Sequence, residues 1–128
     1  MIRPTATHAY GFILCSERLE RWAMEHCPDP DAPDMSTLSP EEAMIELSVV
    51  RGVASTVLPM RIYRDYPRLP SEWHRLILMD DCGRYLLVLK DNGTVAQAMT
   101  KLEPEDVEGV RARLELGAQK PKWYRIPE

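Results

Sequence analysis

Two short segments near the middle of the chain, Arg75 to Asp80 and Arg84 to Lys90, read as strands with apolar residues on both sides. Successive side chains of a strand point to opposite faces. The first segment therefore sets Leu76 and Leu78 against Ile77 and Met79, and the second sets Tyr85, Leu87 and Leu89 against Leu86 and Val88. An antiparallel sheet that is wet on one side alternates apolar and polar residues, and neither segment does so. Burying one such side chain is worth roughly 1.5–3 kcal/mol. Leaving about four of them in water would forgo on the order of 10 kcal/mol, as much as the whole net stability of a domain. Both faces of the sheet's centre therefore need cover. Three helices split two and one would provide it, and so would two helices on one face with a subunit or partner on the other.

The remaining signals place these strands in an α+β domain. Ala9 to Cys15 is strand-prone. Ser16 then caps a helix whose Leu19, Trp22, Ala23 and His26 recur at helical spacing, and Pro28 ends it. Residues 28–38 hold three prolines and three aspartates and read as a mobile, acidic surface loop. The next helix has the best-marked start: Ser39 at the N-cap, Pro40 at N1 and Glu42 at N3 form a capping box. Its Ala43, Leu47 and Val50 stripe, widened by Met44, Ile45 and Val53, predicts deep burial, with Gly52 near its end. Leu58, Met60 and Ile62 alternate with Pro59, Arg61 and Tyr63 and read as an edge strand. Asp81-Cys82-Gly83 and Asp91-Asn92-Gly93 read as tight hairpin turns, which makes Thr94 to Met99 a returning strand, although its alanines also suit a helix. Pro104 opens a last helix with Val107, Val110 and Leu114 inward, and residues 118–128 form an extended tail. The expectation is one domain over 1–128, in the order β-α-α-β-β-β-β-α. An antiparallel sheet of four to five strands carries about three helices.

Charge and cysteine content narrow the setting. Lys plus Arg is 16 and Asp plus Glu is 20, for a net charge of −4. That balance argues against a sequence-independent grip on nucleic acid. Cys15, Cys27 and Cys82 are an odd set that does not suit a disulfide framework. The first residues have no apolar core of a signal peptide, and unbroken apolar runs are far shorter than the ~20 residues that span a bilayer. A cytoplasmic protein acting without membrane or nucleic acid is expected.

No sequence motif for catalysis stands out: there is no glycine-rich phosphate loop, nucleophile elbow, HExxH or paired CxxC. His26 and Cys27 are adjacent, so their side chains diverge on a helix, and His8, His74, Cys15 and Cys82 lack metal-ligand spacing; no metal or cofactor is expected. At Asp80 to Arg84, turn chemistry is the plain reading beside a reactive Cys82 thiol or a cation site. Trp73 and His74 read as a packed pair closing a loop, with acid–base work by His74 as the sharper alternative. In the tail, Lys120, Lys122 and Arg125 interleave with Trp123 and Tyr124. Trp123 and Ile126 pin the tail to the fold, or Trp123, Tyr124 and Arg125 present a contact to a partner.

The leading expectation is a non-catalytic intracellular interaction or accessory module that binds a protein partner or self-associates as a homodimer through an apolar sheet face. The alternative is a small-molecule-binding protein or enzyme, with a pocket between sheet and helices lined by Arg61, Tyr63, His74 and Tyr85. A third reading is a regulatory domain whose acidic 28–38 loop docks on a basic partner.

Overall fold

A computed structural model describes residues 6–70 and 75–127. Strand β1 (His8–Cys15) leads directly into helix α1 (Ser16–His26). The exposed 28–38 segment contains one 3-10 turn, Met35–Thr37, which Asp34 caps by accepting from the Ser36 amide. Helix α2 (Pro40–Asp65) follows, then β2 (Leu76–Leu78), β3 (Arg84–Asp91), α3 (Val95–Met99), α4 (Pro104–Arg113) and β4 (Lys122–Arg125). The four strands form one antiparallel sheet in the order β2-β3-β1-β4. The α+β class and the antiparallel sheet are as the sequence predicts, and the element order is corrected to β-α-α-β-β-α-α-β.

Three elements differ from expectation, each for a physical reason. Residues 58–63 are the end of α2, not a strand. Ala54, Leu58 and Ile62 recur every four residues and are all fully buried, so the helical period satisfies the core as an alternating strand would not. Pro59 sits inside the helix, where its missing N–H removes one rung of the ladder. Gly52 does not end α2; the helix runs through it at some cost in backbone entropy. Residues 95–99 form a short helix, because the Thr94 side chain accepts from the Gln97 amide and caps it. The chain thus leaves β3 into α3 at Asn92-Gly93 instead of returning as a hairpin. The tail does more than extend: Tyr124 pairs with Ala9 and Trp123 with Tyr10, so β4 closes one edge of the sheet.

The apolar centre of the sheet is buried on both faces. Phe12, Leu14, Leu87 and Leu89 pack with Leu19 and Trp22 of α1, Leu58 and Ile62 of α2, and Val110 of α4. Leu86, Val88 and Ala9 form a second cluster with Ile13, Ile77, Met79, Tyr124 and Ile126. Among the described residues no helix contributes to that second cluster.

β1 and β3 do not pair evenly. Tyr10 faces Lys90 but Gly11 faces Val88, so Leu89 is an extra residue on β3, a β-bulge. The Tyr63 hydroxyl of α2 donates to the Val88 carbonyl at this point, so a buried acceptor beside the bulge is satisfied from the helix layer. The bulge also lays Lys90 over the rings of Tyr10 and Trp123, 5.6 and 5.5 Å from their centroids. Its ammonium donates to the carbonyls of Ala98 at 3.3 Å and Thr100 at 2.7 Å, which fastens the end of α3 to β3.

Candidate functional site

Helix α2 is 26 residues long, about 39 Å at 1.5 Å per residue. Its buried residues, Ala54, Leu58, Pro59, Ile62 and Tyr63, all lie in the second half. The first half has no fully buried residue and packs along one side on α1. Its outer side carries Met44 at 70%, Ile45 at 66%, Val49 at 56% and Val53 at 40% exposure. The sequence predicts deep burial for this apolar face. Instead Ala43, Leu47 and Val50 are half-buried and the residues that widen the stripe face outward. Apolar residues occupy more of the circumference than α1 can cover.

The chain that joins α1 to α2 encloses Val49 and Val53 of this face in a groove, while Met44 and Ile45 lie outside its lining. Pro28 ends α1 beside Cys27, and the 28–38 segment runs back across the two helices to Ser39. The cavity between them has a volume of about 300 Å³, with Met24, Cys27, Met35, Val49, Val50 and Val53 prominent in its walls. Asp29 and Glu46 are the charged side chains in its lining. Cys27 supplies a free thiol to that lining. The neighbouring His26 is turned away from it: the ring stacks on Trp22 at 5.0 Å, and Nδ1 lies 3.0 Å from the Trp22 carbonyl.

Local hydrogen bonds hold the rim charged. Side-chain and then backbone hydrogen bonds with Ser39 lower the Glu42 carboxyl below its ordinary range, and the Ser36 amide followed by its hydroxyl does the same for Asp34. Both groups sit lower folded than unfolded, so their stabilisation is full above the unfolded pKa and is lost as pH falls through the folded value. Glu20, which burial raises against the opposing pull of Arg51, has the opposite sign and relieves a penalty on protonation. The Ser39–Glu42 box acts on a part of α2 with little tertiary packing, whereas Asp34 caps the 3-10 turn before it. Helicity at 222 nm is therefore expected to fall as pH drops from about 5 toward 3, and Ser39→Ala should flatten that loss because the capping box is already gone. An identical profile in the variant would show that the caps do not govern it.

Of the residues predicted to line a ligand pocket, Arg61, Tyr63 and Tyr85 are absent from the walls of this groove. Arg61 donates to the His26 carbonyl at 3.2 Å and lies over the Trp22 ring. Tyr63 is buried under the sheet, and Arg75 lies over its ring at 4.5 Å. Tyr85 is half-buried on β3, paired with Leu14 and Leu78. His74 falls outside the described residues. In β4, Trp123 stacks obliquely on Tyr10 at 5.5 Å, Tyr124 packs into the second cluster and the exposed Arg125 pairs with His8. At the β-turn, Asp80 accepts from the Cys82 and Arg84 amides and from Arg84 Nε at 2.5 Å. Turn chemistry accounts for those residues. Among the described residues no group of three or more His, Cys, Asp or Glu side chains is placed to hold a metal ion.

A second cavity, of about 330 Å³, opens where Tyr10 and Lys90 meet Lys101, Leu102, Val107 and Glu108. It is broad and open, and Lys90 is already engaged by two carbonyls and two rings. No protein-family model matches the chain, and neither a curated protein nor a solved structure does.

Proposed function

We propose that this protein is an intracellular, cytoplasmic binding module without catalytic chemistry, and that the groove beside the first half of α2 is its working surface. The observation that carries this reading is the placement of Met44, Ile45, Val49 and Val53 on the outside of a helix whose other half is anchored in the core. Monomeric proteins rarely leave a contiguous apolar patch of this kind uncovered unless something binds there. Covering the exposed parts of these four side chains makes available about 3–7 kcal/mol before the costs of association. The second face of the sheet supports self-association less well, because its centre, Leu86 and Val88, is already closed within the chain.

By length and composition α2 also passes for a membrane span: its most apolar stretch has a mean hydropathy of 1.3, and 17% of that stretch is buried. Its second half is nevertheless packed under the sheet, and a spanning helix would have to leave that core.

Cys27 reports on the groove directly. It lines the cavity, whereas Cys15 and Cys82 are exposed elsewhere and serve as internal standards. In lysate of cells producing the chain, maleimide labelling of Cys27 relative to Cys82 is expected to drop several-fold compared with dilute purified protein, and Val49→Asp should restore it. An unchanged ratio would remove the groove as the working surface. Protection that instead appears on concentrating the purified chain would assign the surface to self-association.

A further inference from the structure

The two charged side chains in the groove's lining, Asp29 and Glu46, are both acidic. Between Pro28 and Val50 the chain holds Asp29, Asp31, Asp34, Glu41, Glu42 and Glu46, and no lysine or arginine. Arg51, the next cation along α2, is directed to Glu20 of α1 at 3.9 Å. The walls combine methionine and branched aliphatic side chains. Methionine is unbranched and polarisable, so it moulds to varied apolar partners without demanding one shape.

Resting on the proposed function of this surface, we infer that its occupant is a basic amphipathic helix of another protein. An apolar helix face laid into a hydrophobic groove is a recurring mode of recognition. The open part of α2, Pro40 to Val53, is about 20 Å long at 1.5 Å per residue, which matches about four turns of a partner helix. Asp29 and Glu46 in the lining, with four more acids in the same stretch of sequence, select the sign of the charge that flanks the partner's apolar face, because juxtaposed like charges cost affinity while opposite ones guide encounter. A second copy of this chain would bring the same acids to the same groove. An anionic membrane surface attracts basic segments, not acidic ones.

A fluorescein-labelled 18-residue peptide with leucine on one helical face and lysine on the other is the probe, with a second peptide carrying glutamate in place of every lysine. Anisotropy titrations should show the lysine peptide binding the natural chain at least tenfold more tightly than the glutamate peptide. Val49→Asp should weaken that binding at least tenfold. The double variant Asp29→Lys, Glu46→Lys should reverse or erase the preference between the peptides. All three positions are exposed or half-exposed, and unchanged circular dichroism would confirm that the variants fold.

Equal binding of both peptides, lost in Val49→Asp, would overturn the inferred charge selection and leave the docking surface standing. Preferential flotation with phosphatidylcholine vesicles, or self-association, either of them abolished by Val49→Asp, would replace the basic helix with a bilayer or a second copy. Failure of every probe to bind, together with an unprotected Cys27 in lysate, would remove the docking surface and this inference together.

Discussion

Gly11→Ala is expected to destabilise the protein by about 3 kcal/mol or more, a large share of the usual margin. A Cβ at residue 11 would lie 1.9 Å from the Leu87 carbonyl oxygen, 2.9 Å from its carbon and 3.2 Å from Val88 Cα. These are backbone atoms of the neighbouring central strand, so no side-chain rotation relieves the clash. The cause is the bulge between Tyr10 and Gly11, which brings β3 against β1 at the step where the register slips. Relief would require the two strands to part where the Tyr63 hydroxyl ties the Val88 carbonyl to the helix layer. Gly52 is the matched control. Nothing lies within 4 Å of a Cβ built there, and it sits inside a helix, so Gly52→Ala should gain about 0.5–1 kcal/mol. Urea denaturation of both variants measures the contrast. A Gly11→Ala midpoint at the natural value would show that the close strand approach is absent in solution.

The second large effect comes from two adjacent residues. Leu86 and Leu87 are both fully buried but belong to different clusters on opposite faces of β3. Leu87→Ala should cost about 3–4 kcal/mol, since the three helices over it cannot close a cavity without shifting against one another. Leu86→Ala should cost about 2–3 kcal/mol, somewhat less because side chains at the margin of a small cluster can relax into the gap. A sheet wet on one side would tolerate one of the two changes within about 0.5 kcal/mol, as surface positions do. A Leu86→Ala variant that unfolds with the natural chain would therefore refute two-sided burial.

That two-sidedness was legible in residues 85–89, because a strand's period of two leaves no other place for consecutive apolar side chains; in residues 76–79 the same pattern overstates burial, since Leu78 on the edge strand is 52% exposed. The capping box at Ser39, the Leu19–Trp22–Ala23 stripe of α1 and the Pro104 start of α4 were legible for similar reasons: each is local chemistry that tertiary contacts had no cause to override. Residues 58–63 were not, because Leu58, Met60 and Ile62 fit a period of two while Ala54, Leu58 and Ile62 fit a period near four. Only the core's position chooses between them. The segment 95–99 turned on one hydroxyl, that of Thr94, capping a helix shorter than two turns. The groove was hidden for a different reason. Residues 43–53 looked like the most buried part of the molecule because they are apolar nearly all round. Sequence period shows which faces of a helix are greasy; it does not show which of those faces the rest of the fold covers.

The order of strands across the sheet has a consequence for biogenesis. β1 lies at the middle, between β3 and β4, yet it emerges from the ribosome well before either neighbour exists. Until then its Ala-Tyr-Gly-Phe-Ile-Leu stretch has no ladder to join, and two helices are synthesised before the first partner arrives. Topologies dominated by such distant pairings fold slowly and leave sticky intermediates. Production in vivo should accordingly depend on translation speed and on chaperones that shield a nascent strand.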